Sequence, residues 1–195
     1  MPTTERETRL TYDDFVRFPD DGLRHELIDG VHYVTPSPAT RHQQLSGRLH
    51  LAIGIYLEAH PEAGHVFYAP FDVIFSRWDV VEPDLLFIAA DQLEILTHAN
   101  VQGAPALVVE ILSPGTRKRD LGIKRALFER GGVREYWVVD SKAEDVAIYR
   151  RDAASRLVPL GSLKAVDGSV LATPLLPGFE LPLAKLFAPL LPDRG

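Results

Sequence analysis

The 195-residue sequence contains no cysteine. Disulfide scaffolds, thiolate zinc sites and cysteine nucleophiles are therefore excluded, and a reducing cytoplasm is the natural setting. No stretch approaches the roughly 18 uninterrupted apolar residues of a membrane-spanning helix. The polar start MPTTERETRL lacks the apolar run of a signal peptide. A soluble, cytoplasmic protein with no membrane partner is expected. Internal repeats and low-complexity tracts are also missing, and Pro and Gly punctuate apolar segments without forming a linker. Positive charge is in short supply: 21 Lys and Arg stand against 27 Asp and Glu, a net charge of -6, so any nucleic-acid contact has to be local. Hydrophobic residues at 46% and charged residues at 25% exclude the disordered class. The length fits one domain, 1–195, with a short N-terminal helix and hairpin (11–34) and a strand-rich C-terminal tail (156–195).

Punctuation and periodicity order the segments. Thr11 caps a short helix to Phe18, with Asp14 three residues on and Pro19 as its stop, placed as a lid. Asp29-Gly30 tolerates the positive φ angles of a two-residue hairpin turn between RHELI and VHYVT, so Glu26 and Ile28 share a face. Leu45, Leu49, Ile53, Tyr56 and Leu57 recur at helical spacing until His60-Pro61. HVFYAP, FDVIF and VVEPDLLFIAA read as three strands with SRWD as a turn, and PALVVEIL as an almost unbroken apolar one. TRKRDLGIKRALFERGG is a helix with Leu121, Lys124 or Arg125, and Phe128 on one face, ended by Gly131-Gly132. EYWVVD and DVAIYRR come next as strands. This order predicts an α/β or α+β domain, a mixed β-sheet flanked by helices.

Two carboxylates stand where charge is expensive. Glu110 lies among Val108, Val109, Ile111 and Leu112 in a strand buried on both faces. Dehydrating it costs several kcal/mol unless a cation or good hydrogen bonds compensate. Asp84 follows Pro83, which cannot donate to a ladder and marks a bulge or an edge. Were the two strands neighbours, the acids would approach to about 5 Å, close enough that one stays protonated or a divalent cation joins them. Mg²⁺ prefers such oxygen ligands and keeps part of its water. The plainer readings are a strand-end acid for Asp84, a buried Arg partner for Glu110 and an exposed hairpin acid for Glu26. From Ser113 to Arg130, six basic residues meet two acids, a local net of +4. That suits phosphate contacts as well as a solvated face, and Lys124 has Asp120 available at i, i+4.

HELIDG, SPATRHQQL, VEPDLLFI and VVEILSPGTRKRDLGIKRALFERGGVREYWVVD, in this order, resemble the PD-(D/E)XK nuclease superfamily and, within it, the Uma-type family of putative restriction endonucleases. The resemblance covers most of the chain and implies a restriction-endonuclease-like fold. It makes Asp84 the acid of the Pro-Asp element and Glu110 the acid of the (D/E)XK element. Leu112 stands where that element has its lysine, and the Uma-type pattern moves the lysine to the following helix as Lys124. Glu26 matches the N-terminal acid, while His42 and Gln43 match a segment without a definite role. The resemblance implies a metal-dependent endonuclease acting on DNA, a homodimer when both strands are cut. Asp84, Glu110 and Glu26 would hold Mg²⁺ (or Mn²⁺), Lys124 would orient the attacking water, and Arg117, Lys118 and Arg119 would hold the backbone.

Two other classes remain. A nuclease-like module that has lost turnover and serves as a binding or regulatory partner is favoured by the missing strand lysine. A two-carboxylate glycoside hydrolase explains the acids but not the basic helix. No nucleophile elbow or H-E-x-x-H spacing supports acyl transfer or zinc proteolysis.

Overall fold

The computed structural model describes residues 9–189; the first eight residues of the polar start and the last six of the tail lie outside it. Among the described residues, thirteen strands form two main sheets and a small one. The larger sheet joins β3 (Gly64–Tyr68), β6 (Leu85–Ala89), β8 (Leu107–Ile111), β9 (Glu135–Asp140), β10 (Asp145–Arg151) and β11 (Leu157–Lys164), in the order β11-β10-β9-β8-β6-β3. It is antiparallel except where β8 runs parallel to β9. The second sheet has the order β2-β1-β5-β4-β7, from β1 (Arg24–Ile28), β2 (Val31–Thr35), β4 (Val73–Ser76), β5 (Asp79–Val81) and β7 (Val101–Gln102). β12 (Val170–Thr173) and β13 (Leu176–Pro182) form the third. No helix among the described residues is long and apolar enough to cross a membrane.

Helices cover both faces of the six-stranded sheet. α2 (Thr40–Ala59) buries Leu45, Leu49, Ile53 and Leu57, the expected stripe, and ends at His60. They pack with Leu85, Phe87, Leu107, Val109, Trp137 and Val139 from the odd positions of β6, β8 and β9. The even positions, Leu86, Ile88, Val108, Tyr136 and Val138, face the opposite way, onto Ile28, Val73 and Val81 of the second sheet and onto Leu127 and Phe128. Strand alternation thus assigns Glu110 to the side of the second sheet. The parallel β8–β9 pair requires a crossover. It is supplied by α3 (Arg117–Arg119), a π-helical turn (Asp120–Lys124) and α4 (Arg125–Gly131), closed by Gly132 at φ 103°.

Several expectations change on inspection. VVEPDLLFIAA is two strands, not one: β5 ends at Val81, and after Glu82-Pro83-Asp84 the chain re-enters as β6 in the other sheet. Pro83 therefore marks a change of sheet. Of the strands in the tail, β11 joins the main sheet, and β12 and β13 form the small one. α1 (Tyr12–Phe15) has its Thr11–Asp14 cap, both Thr11 N–H and hydroxyl donating to Asp14. It is anchored on Arg77 and Asn100 and lines a different cleft, so it is no lid for the carboxylates.

One buried acid ties the hairpin to the crossover helix. Asp79 accepts from the Asp29 N–H (2.9 Å), the Ser76 hydroxyl (2.7 Å) and Arg130 (2.7 Å). Asp79→Ala leaves the first two donors unmet and is expected to cost about 2–3 kcal/mol in urea denaturation. Arg130→Met, whose guanidinium is 41% exposed, should cost about 1 kcal/mol or less. Equal losses in the two variants would contradict the assignment of Asp79 as the hub.

Candidate active site

The end of β8, the Glu82–Asp84 connection, the hairpin and the crossover helix enclose a cavity of about 490 Å³. Glu26, Asp84, Glu110 and Lys124 all line it, joined by Arg24, His42, Arg119 and Asp120. Their convergence follows from register. β6 pairs antiparallel with β8 through Leu85↔Val109, and one step further the same register sets Asp84 opposite Glu110. The acids are cross-strand neighbours, about 5 Å apart at Cβ on general strand geometry. β1 delivers Arg24 and Glu26 from one face, since residues two apart on a strand point the same way.

Lys124 joins the parts. Its ammonium donates to Glu110 Oε1 at 2.5 Å and lies 2.8 Å from Glu26 Oε1. The π-helical turn explains the reach: one extra residue in the turn rotates the side chains after it, turning Lys124 inward and leaving Arg125 over the Tyr149 ring. Lys124 pairs with the two glutamates, and the oxygens of Asp120 at i, i+4 receive no hydrogen bond. Asp84 is held separately. Its Oδ1 accepts from Arg24 (2.8 Å), and its Oδ2 accepts from the Ile111 N–H (2.8 Å) and lies 3.0 Å from His42 Nε2. Glu26 also accepts from the Glu82 N–H and lies 3.5 Å from Arg119.

The electrostatics are those of a largely buried pocket in which four carboxylates meet four cationic side chains, Arg24, Arg41, Arg119 and Lys124. Burial alone would raise Asp84, but His42, Arg24 and the Ile111 N–H outweigh it and hold the carboxyl below its usual range. Burial pushes Glu110 well above the carboxylate range; Lys124 opposes this, while Asp120, Asp84 and Glu26 add to it. Burial likewise raises Asp120. Lys124 stays charged, because Glu110, Glu26 and Asp120 together overcome its own dehydration. Not every carboxylate oxygen of the pocket is met by a donor. Both Asp120 oxygens and Glu26 Oε2 are buried without a hydrogen-bond donor. That donor set, all oxygen and anionic, fits a small hard divalent cation. Among the described residues no three carboxylates or imidazoles already stand together as a ligand group.

The sequence-derived residues divide accordingly. Glu26, Asp84, Glu110 and Lys124 come together; of the three basic residues at 117–119, only Arg119 does. Arg119 turns inward to Thr35, Glu26 and the Tyr33 ring. Arg117 pairs with Asp140 outside the cavity, and Lys118 is exposed. Arg24 escaped the sequence reading, and Asp120 entered it only as an ion-pair partner available to Lys124 at i, i+4, although each lies within one strand or helix repeat of a residue singled out for the site. His42, singled out without a role, touches Asp84.

Glu82, beside this cavity, is pushed up to about 7 by burial and by Asp72. Its folded pKa lies above its unfolded one, so it lowers stability as pH rises from about 4.5 to 7, and the penalty stays constant above that. Glu82→Gln should match wild type near pH 4.5 and exceed it by about 1–2 kcal/mol at pH 8, after allowance for its partial exposure. Denaturation at the two pH values checks this; a pH-independent difference would contradict it.

Comparison with known proteins gives a consistent picture. No curated protein matches the chain. Among solved structures it is similar to a putative nuclease belonging to DUF820 from Anabaena variabilis ATCC 29413, with 17% identity and a TM-score of 0.76 over 91% of this chain and 97% of that one. At that identity the likeness speaks for the fold. The Uma2 family model, described as putative restriction endonuclease, matches residues 12–184. Since that span is most of the sequence and includes every residue lining the cavity, the chain belongs to the Uma2 family of putative restriction endonucleases.

Proposed function

We propose that this protein is an endonuclease that hydrolyses phosphodiester bonds of DNA with the help of a divalent cation, Mg²⁺ or Mn²⁺. The observation that carries the reading is the 2.5 Å contact between Lys124 and Glu110. The strand position of the missing lysine holds Leu112, and the crossover helix brings an ammonium to the same carboxylate by another route. Asp84 and Glu110 would hold the cation, with Glu26 beside them. Such an ion supplies charge stabilisation at the phosphate and acidifies water.

The chain's own groups supply the rest. Lys124, freed from part of its pairing, orients the attacking water and offsets charge developing on the phosphate. Arg24 and Arg119 line the cavity and suit phosphate oxygens, with Arg117 and Lys118 further out along the backbone. His42 and the Ile111 N–H fix the Asp84 carboxylate, so its orientation does not depend on substrate. A double-strand break needs two such sites, and two copies of this chain would supply them.

A second reading, a nuclease-like module that binds without cutting, is favoured by one contact: Arg24 already satisfies Asp84 Oδ1. Supercoiled plasmid incubated with protein and Mg²⁺ or Mn²⁺ separates the two. Wild type is expected to nick and linearise it, and Glu110→Gln and Lys124→Ala to slow cleavage by at least about 100-fold. Removal of the cation with a chelator should stop it. Cleavage by either variant at the wild-type rate would sink the enzyme reading, and DNA binding without cleavage would favour the module.

A further inference from the structure

Asp120 is the least explained group in the cavity. It is 1% exposed, and neither carboxylate oxygen receives a hydrogen bond. The Thr116 hydroxyl, one turn earlier, contacts Ser113 and also lies close enough to Asp120 to favour its charged form, without a well-formed hydrogen bond to it. A buried carboxylate without donors costs several kcal/mol, and a structural role would ordinarily supply it with partners. The other acids differ. Asp84 has three polar contacts on its two oxygens, and Glu110 has Lys124. Among the described residues, Glu26 Oε2 is the other fully buried carboxylate oxygen of this cavity without a hydrogen-bond donor.

Placement points the same way. Asp120 opens the π-helical turn whose last residue is Lys124, and both residues are buried. Such turns recur at functional sites. The turn is held from below, since the buried Tyr136 hydroxyl donates to the Asp120 carbonyl at 3.1 Å. The backbone is thereby fixed while the carboxylate is left open.

We propose that Asp120 is a further ligand of the divalent cation, directly or through one water, extending the Glu110 and Glu26 carboxylates on the helix side of the cavity. This rests on the cation-dependent reading above. The family resemblance assigned no role to Asp120, and its burial is a cost to the free protein that binding recovers.

The test is Mn²⁺ affinity by calorimetry, together with the melting temperature of the metal-free protein, for wild type, Asp120→Asn, Asp120→Glu and Glu110→Gln. Asp120→Asn is expected to weaken Mn²⁺ binding at least tenfold and to raise the metal-free melting temperature, because it removes an unpaired buried charge. Asp120→Glu should recover part of the affinity. If Asp120→Asn binds Mn²⁺ within twofold of wild type while Glu110→Gln has lost it, the proposal fails and the nuclease reading stands. Absence of Mn²⁺ binding by wild type overturns both. A lower metal-free melting temperature with unchanged affinity marks Asp120 as structural and overturns the proposal. Should Asp120→Asn not fold, Asp120→Glu against Asp120→Gln decides: affinity kept in the first and lost in the second supports it, and equal affinities overturn it.

Discussion

The buried ammonium of Lys124 is the interaction on which the rest depends. It links β8 through Glu110, the hairpin sheet through Glu26, and the crossover helix that carries it. Taking any of these charges out of water alone costs several kcal/mol, and removing one partner from such a set typically costs about 3–5 kcal/mol. The three elements therefore dock together or not at all. A hydrophobic triad would hold the same elements at less expense, so the retained charges are better explained by chemistry than by stability.

The second constraint is the change of sheet between β5 and β6. A strand continuing through Glu82-Pro83-Asp84 would bury Asp84 in a ladder. Instead Pro83 breaks the pairing, and Asp84 falls at the mouth of β6, opposite Glu110 and beside the first turn of α2. The two sheets need not be rigid for the acids to meet, because antiparallel register alone sets the pair. What the second sheet adds is Arg24 and Glu26, and with them the choice of which carboxylate is satisfied by protein and which is left to a ligand.

Much of this was legible in the sequence, for physical reasons that differ by residue. Asp29-Gly30 carries φ values of 54° and 75°, a conformation few residue pairs adopt, so the hairpin could be read from two letters. The stripe on α2 is a periodicity, and Glu110 is conspicuous because a charge inside a valine-rich strand has no cheap explanation. Long-range choices left weaker traces. Pro83 signals that pairing stops but not which sheet receives the chain next. The π-helical turn has no residue signature; its trace was the uncertainty over whether Lys124 or Arg125 faces inward. Arg24 and Asp120 looked like ordinary surface charges, because what singles them out is the company they keep across the fold.

Charge placement also decides how a polyanion could be met. The crossover segment is locally basic, yet four of its six cations are committed within the protein: Arg117 to Asp140, Arg119 to Glu26 and Thr35, Lys124 to the glutamates, and Arg130 to Asp79 and Asp29. Lys118 and Arg125 remain on the surface of a chain whose net charge is -6. Long-range attraction is screened within about 10 Å at ordinary ionic strength and here has little to act with. Attraction of a phosphate must therefore be short-ranged and come from groups inside the cavity, where low dielectric makes each contact stronger. Of the three guanidinium groups that line it, Arg24 and Arg119 are held by its carboxylates, Asp84 and Glu26. On the proposed reading, an ion taking the carboxylates would release the arginines to the anion, so cation and phosphate would favour each other's binding.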